Sequence, residues 1–332
     1  MNKRRDETLD IARGFAIILV VIGHIIQYNL IGNSCSIIFK IIYSFHMPLF
    51  FLLSGYVSTY GKVIETPHDI VQFIYKKTIQ LYIPYLAFGY IIPLICKDKS
   101  TADIISTICN PQHGPWFLAV LWMIQLLLAL VNYINYIVYN SIHLFQKEIK
   151  LLTYILGLII LIICNKLTDG SSYFTAIYYI MFVVGKYLPS WQKYIHNQSI
   201  AFICLILFSS IINSYIHFEG NKIILLGIQI MLSICVSFVV LYFCKTETFD
   251  KNIIYKRFAI IGRYSLNIYL MHYAIIQFTI KGDSFHTSIN PIPLFIILFF
   301  TAYTTSELIC GISRLIEKNK YLNFFLFGRK FW

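Results

Sequence analysis

Asp10, Arg13 and His24 place charge and proton chemistry inside one apolar run near the start of the chain. On a helix turning about 100° per residue the three fall within about 60° of one another, and Tyr28 shares their stripe. Arg13 and His24 are separated by roughly 16 Å along such a helix. Arg13 can hold an anion such as a phosphate, and His24 can take up a proton at neutral pH. Asp10, one turn before Arg13, either orients that guanidinium or neutralises it. The bland alternative is an Asp–Arg pair closing a helix end beside a packing histidine. Ionisable groups at membrane depth are costly, which favours a working seam.

Further clusters carry similar residues. Tyr43 to Tyr56 contains His46, Pro48 and Ser54. Pro48 removes a backbone donor and predicts a kink, with His46 beside the opened backbone as either a catalytic group or a partner for a freed carbonyl. His113-Gly114-Pro115-Trp116-Phe117-Leu118 sits at a predicted outer boundary, where Trp116 is equally suited to anchoring. In Gly262 to His272, the residues Ser265, Tyr269 and His272 share one helical face that is too polar for lipid. Glu307, Arg314 and Glu317 are expected to pair structurally.

These clusters lie in a chain that is 58% hydrophobic and 13% charged. Soluble domains carry about 25% charged residues, so the composition excludes a soluble enzyme and predicts an all-α membrane protein, solvated on its outer faces by lipid. Ten apolar segments are expected near 11–31, 35–60, 79–96, 116–137, 151–164, 173–188, 199–217, 222–243, 264–280 and 291–310. The first is too long for a signal-peptide core and carries Arg13 and His24, so it reads as a span. Placing the N-terminus inside puts 21 of the 27 Lys and Arg residues on the inner side, which predicts ten spans with both termini cytoplasmic. The net charge of +12 follows the loops, so no nucleic acid partner is expected. Scattered cysteines without C-x-x-C spacing suit neither a zinc site nor a disulfide framework, and no metal is expected. Residues 1–332 read as one transmembrane domain with no added soluble domain.

Taken together and in order, the clusters resemble the acyltransferase-3 family of integral membrane acyltransferases. Arg13 and His24 match its opening pattern of an Arg and a His separated by ten residues. Phe45-His46-Met47-Pro48-Leu49-Phe50-Phe51 with Ser54-Gly55-Tyr56 is similar to its second-span signature, in the version of the fucose 4-O-acetylase-like branch. Gly114 to Leu118, Tyr264 to His272 and Ile316-Glu317-Lys318 resemble its later elements. The resemblance implies transfer of an acyl group, usually acetyl, from cytoplasmic acyl-CoA to a carbohydrate or lipid-linked glycan acceptor in a bacterial inner membrane. It implies a catalytic His24 and an essential Arg13. Acyl-CoA would be a substrate, and no cofactor would be permanently bound.

On that reading Arg13, Lys76, Lys77 and Arg263 are candidates for the donor's phosphates. His46, Ser54, Trp116, Ser265, Tyr269 and His272 are candidates for acceptor binding or oxyanion stabilisation. One departure is that Lys76 and Lys77 stand where the family often has arginines, which keeps point charge but loses the bidentate fork. Membrane lipids and a homo-oligomeric partner are also expected. The competing reading is a transporter or flippase of a lipid-linked sugar, which intramembrane Arg, His and Glu would suit without acyl chemistry.

Overall fold

The protein is described from a computed structural model covering residues 6–92, 115–141, 146–167, 172–218, 220–245, 253–279 and 285–329. These residues are helical almost throughout. Among the described residues, six helical segments are long and apolar enough to cross a membrane: Glu7–Asn29, Asn33–Ser58, Trp116–Val138, Gln198–Ile216, Lys222–Phe243 and Pro291–Glu317. The predicted spans near 151–164, 173–188 and 264–280 fall on helices Gln146–Leu167, Ser172–Tyr187 and Ser265–Thr279. The predicted span 79–96 begins in helical residues, and its last part lies outside the described ones. Large apolar side chains such as Ile292, Phe300, Phe202 and Met231 are exposed. Such surface is stable in hydrocarbon and not in water. The chain is a multi-pass membrane protein.

Two compact units are present. The first comprises Met1–Thr59 and Val184–Arg314, and the second Tyr60–Val183 and Leu315–Trp332.

The first unit is organised around helix α1 (Glu7–Asn29). Asp6 caps it by accepting from the Thr8 amide at 3.0 Å. Leu9 to Ile26 is buried on nearly every side, as expected of a helix apolar all round. Helices α2 (Asn33–Tyr43) and α3 (His46–Ser58) follow.

Pro48 does not kink a continuous helix, as the sequence predicted. The chain breaks one turn earlier, at Ser44 and Phe45, and Pro48 lies in the first turn of α3. Its ring would collide with the carbonyl of Ser44 in an unbroken helix, whereas a first-turn proline loses no needed donor. Side chains meet the carbonyls at the break, that of Ile42 in addition to the Phe45 amide at 3.2 Å. His46 Nδ1 meets the Ile42 carbonyl at 2.8 Å. Helix α11 (Lys222–Phe243, numbered with the helices below) supplies Gln229 Nε2 to the Tyr43 carbonyl at 3.3 Å and Ser233 Oγ to the Ser44 carbonyl at 2.9 Å. Interhelical bonds of this kind replace water in the bilayer. Ser233→Ala is therefore expected to cost roughly 1 kcal/mol, read from denaturant unfolding of the purified protein in micelles. An unchanged midpoint would show that the Ser44 carbonyl needs no donor from α11.

The second unit contains α4 (Pro67–Lys77), opened by a capping box between Thr66 and Asp69. Two π-helical turns, Thr78–Tyr82 and Ala87–Ile91, flank the short α5 (Ile83–Leu86). Helices α6 (Trp116–Ser141) and α7 (Gln146–Leu167) follow, and the division between the units falls within α8 (Ser172–Tyr187), after Val183. Polar side chains tie this unit together. Trp122 Nε1 donates to Thr78 Oγ1 at 3.1 Å, and the Tyr179 hydroxyl donates to the Tyr154 carbonyl at 3.0 Å.

The remaining helices are the short α9 (Gln192–Ile195), α10 (Gln198–Ile216), α11, α12 (Ile253–Arg263), α13 (Ser265–Thr279), α14 (Pro291–Glu317) and α15 (Lys320–Phe327). Strands β1 (Leu30–Ile31) and β2 (Phe285–His286) pair in parallel beyond the end of α1.

Helices α1 and α12 approach backbone to backbone. A Cβ on Gly14 would strike the Phe258 carbonyl, and one on Gly262 would strike the Asp10 carbonyl. Small residues at such a crossing allow helices to pack without a hydrophobic driving force.

Candidate functional site

The polar seam of α1 lies in the first unit, facing α12 and α13. At its start Asp10 is buried, and Arg263 reaches it from the end of α12 with Nε 3.4 Å from Oδ2. Arg263 also lies 3.8 Å from Glu7. The close packing at Gly14 and Gly262 brings these groups together, since Gly262 precedes Arg263 in the chain. Arg13 is partly buried one turn beyond Asp10.

Further along the seam His24 meets His272 of α13. His24 Nδ1 is 2.6 Å from His272 Nε2. The two rings are inclined by only 4° with centroids 4.9 Å apart. Face-to-face stacking would hold the ring atoms ~3.5 Å or more apart, farther than these nitrogens are. The rings therefore lie edge to edge in one plane, and the bond runs along the lone-pair direction. His272 Nδ1 lies 2.8 Å from the Ile268 carbonyl. His272 is fully buried, whereas His24 keeps some accessible surface.

Tyrosines surround the pair. Tyr28 and Tyr273 are hydroxyl to hydroxyl, and both rings flank His24, at 6.0 and 5.3 Å between centroids. The Tyr43 hydroxyl donates to Gln27 Oε1 at 2.8 Å, and the Tyr43 ring lies 4.6 Å from that of His46. Tyr273, Tyr43 and Gln27 were not singled out from the sequence. Tyr273 adjoins His272, but nothing in its spacing marked it until α13 was placed beside α1.

The other sequence-predicted residues of this unit are distributed as follows. His46 is buried at the α2–α3 break, with its Nδ1 on the Ile42 carbonyl. Ser54 is partly buried in α3, and Ser265 opens α13. Tyr269 is buried 6.0 Å from the His272 ring. Glu307 accepts from the Tyr303 hydroxyl at 3.1 Å and lies 3.8 Å from Arg257. This matches the structural pairing expected of it, though with partners the sequence did not indicate.

Lys76, Lys77 and Trp116 belong to the second unit. The lysines occupy the last turn of α4, where positive charge is favourable to the helix dipole, and Lys77 lies 5.6 Å over the Phe73 ring. At the other end of α4, hydrogen bonds from Lys62 and Thr66 hold the Asp69 carboxyl below the usual carboxylate range. Trp116 packs against Tyr178, with ring centroids 5.3 Å apart. His113 and Gly114 lie outside the described residues.

The fold defines a multi-pass membrane protein whose first span carries one half of a part-buried histidine pair. Residues 6–310 match the acyltransferase domain of the acyltransferase-3 family, and the chain belongs to that family. It is also similar to two curated proteins, both called nodulation protein NolL. That of Mesorhizobium japonicum is 31% identical over 144 residues, covering 40% of this chain and 38% of the relative. That of Sinorhizobium fredii is 41% identical over 86 residues, covering 25% and 23%. Both matches thus span well under half of the relatives' length. No solved structure matches the chain.

Proposed function

We propose that this protein is an O-acyltransferase, in the first instance an O-acetyltransferase. It would move the acyl group of cytoplasmic acyl-CoA to a hydroxyl of a cell-surface carbohydrate or its lipid-linked precursor. The observation that carries the reading is the in-plane hydrogen bond between His24, on a buried transmembrane helix, and His272. Acyl transfer to an alcohol needs a group that removes the hydroxyl proton and returns it to the departing thiolate, and an imidazole does both near neutral pH. His24 serves as that base, or it carries the acyl group itself on the way to the acceptor.

Family membership supports acyl transfer. In this reading Arg13 and Arg263 form the basic entrance to the seam. Ser54, Ser265 and Tyr269 are candidate donors to the developing oxyanion. The site sits in a bacterial inner membrane, with the termini on the cytoplasmic side.

The test compares membranes from cells with and without the gene after incubation with acetyl-CoA labelled in the acetyl group. Gene-dependent label in a glycan, released by mild alkali as expected of an ester, is the predicted result. Membranes in which no glycan acquires label from any acyl-CoA would contradict the reading.

A further inference from the structure

The hydrogen-bond directions around His24 can be assigned, and they give His272 a task. The Ile268 carbonyl only accepts, so the proton in its 2.8 Å contact belongs to His272 Nδ1. A neutral His272 protonated there presents a bare lone pair at Nε2. The proton in the 2.6 Å contact then belongs to His24 Nδ1. With Nδ1 donating, neutral His24 carries its own lone pair at Nε2. His24 also retains accessible surface, while His272 has none. Each link forces the next, beginning from one backbone carbonyl. The near-coplanarity of the two rings fits this direction, because lone pair and N–H bond both lie in the imidazole plane.

We infer that His272 is a positioning residue for the transfer reaction: it holds His24 in the tautomer and ring orientation that expose Nε2 as the base, and it accepts the hydrogen bond of the imidazolium formed on proton uptake. The inference rests on the acyltransferase reading above and deepens it. In the step itself, the acceptor's O–H proton passes to His24 Nε2 as its oxygen attacks the carbonyl carbon of the acyl thioester. A C–O bond forms and the C–S bond breaks. The thiolate leaves with the bonding electron pair and takes the proton back from Nε2. His272 exchanges no proton. It plays the part that a carboxylate plays for the histidine of a hydrolase triad, but with a neutral acceptor. A neutral partner suits a membrane interior, where a buried carboxylate would need a counter-charge.

The experiment uses the full-length protein in its native membranes with labelled acetyl-CoA and the endogenous glycan acceptor. Two substitutions separate positioning from packing. His272→Phe keeps a planar ring but has no acceptor. His272→Gln places an amide oxygen close to where Nε2 stood. The expected result is that His272→Phe lowers the maximal rate by about 100-fold or more. The KM for acetyl-CoA is unchanged within twofold, and His272→Gln recovers to within about tenfold of the native rate.

Each protein is also checked for a single symmetric peak in detergent chromatography. If the Phe protein fails this check, His272→Met, which likewise lacks an in-plane nitrogen, takes its place. Equal losses in the acceptor-containing and acceptor-free variants would overturn the inference, because volume alone would then matter. So would native activity in His272→Phe, or a change confined to KM. If the native protein itself transfers no label, the enzyme reading fails, and that outcome is distinguishable from all of these.

Discussion

Replacing His24 by Ala is expected to lower acyl transfer by about 10³-fold, with the KM for the donor little changed. General acid–base catalysis by a placed side chain contributes about 10²–10⁴, and His24 is the histidine of the 24–272 pair that keeps accessible surface. A loss confined to the maximal rate marks an interaction made in the transition state rather than in donor binding. His46→Ala offers the contrast. His46 is buried with its Nδ1 on the Ile42 carbonyl, which also accepts from the Phe45 amide at 3.2 Å, so its removal opens a void at the α2–α3 break and lowers the yield of folded protein. Initial rates across an acetyl-CoA titration, normalised to folded protein, separate the two. A His24→Ala protein acylating at the native rate would leave the seam without a base.

Gly262→Leu is expected to prevent folding or to leave a small fraction folded. The first added carbon would already collide with the Asp10 carbonyl oxygen, and backbone cannot turn aside as a side chain can. Helices α1 and α12 would have to separate along the stretch where Arg263 reaches Asp10, which removes both the packing and a partner of a buried carboxylate. Overpacking alone costs about 1–3 kcal/mol, and the backbone collision adds to it. Gly311→Ala and Gly227→Ala are the controls. Nothing lies within 4 Å of a Cβ at either position, and both glycines are helical. Those substitutions are expected to be neutral or stabilising by up to about 1 kcal/mol. Yield of monodisperse protein and unfolding in micelles report the difference. A Gly262→Leu protein as stable as the native one would show that α1 and α12 are not closely packed at this point.

The parts of this arrangement that one helix can encode were readable from the chain. The common face of Asp10, Arg13, His24 and Tyr28 follows from helical periodicity, and that face does meet α12 and α13. The stress at Pro48 was also readable, as was the choice open to His46, and the structure places His46 Nδ1 on the Ile42 carbonyl at the break. The position of the break was not. A proline is accommodated by restarting the helix ahead of it as well as by kinking it, and local sequence does not choose between the two.

Helix partners were hidden for a different reason. In lipid no apolar stripe identifies the neighbouring helix, so the pairing of α1 with α13 has no periodic signal. His272 could be placed on one face with Ser265 and Tyr269, but not opposite a residue 248 positions earlier. Asp10 and Arg263 are likewise joined only by the glycine crossing.

The most direct measurement of the central claim is a structure of the full-length protein in a lipid nanodisc with a non-cleavable thioether analogue of acetyl-CoA. The account predicts that the acyl end lies in the first unit beside Nε2 of His24, about 3–3.5 Å from it or separated by the acceptor oxygen alone. It also predicts that Nδ1 still bonds His272. An analogue seated elsewhere, with the imidazole at position 24 sealed from it by packed side chains, would contradict the account.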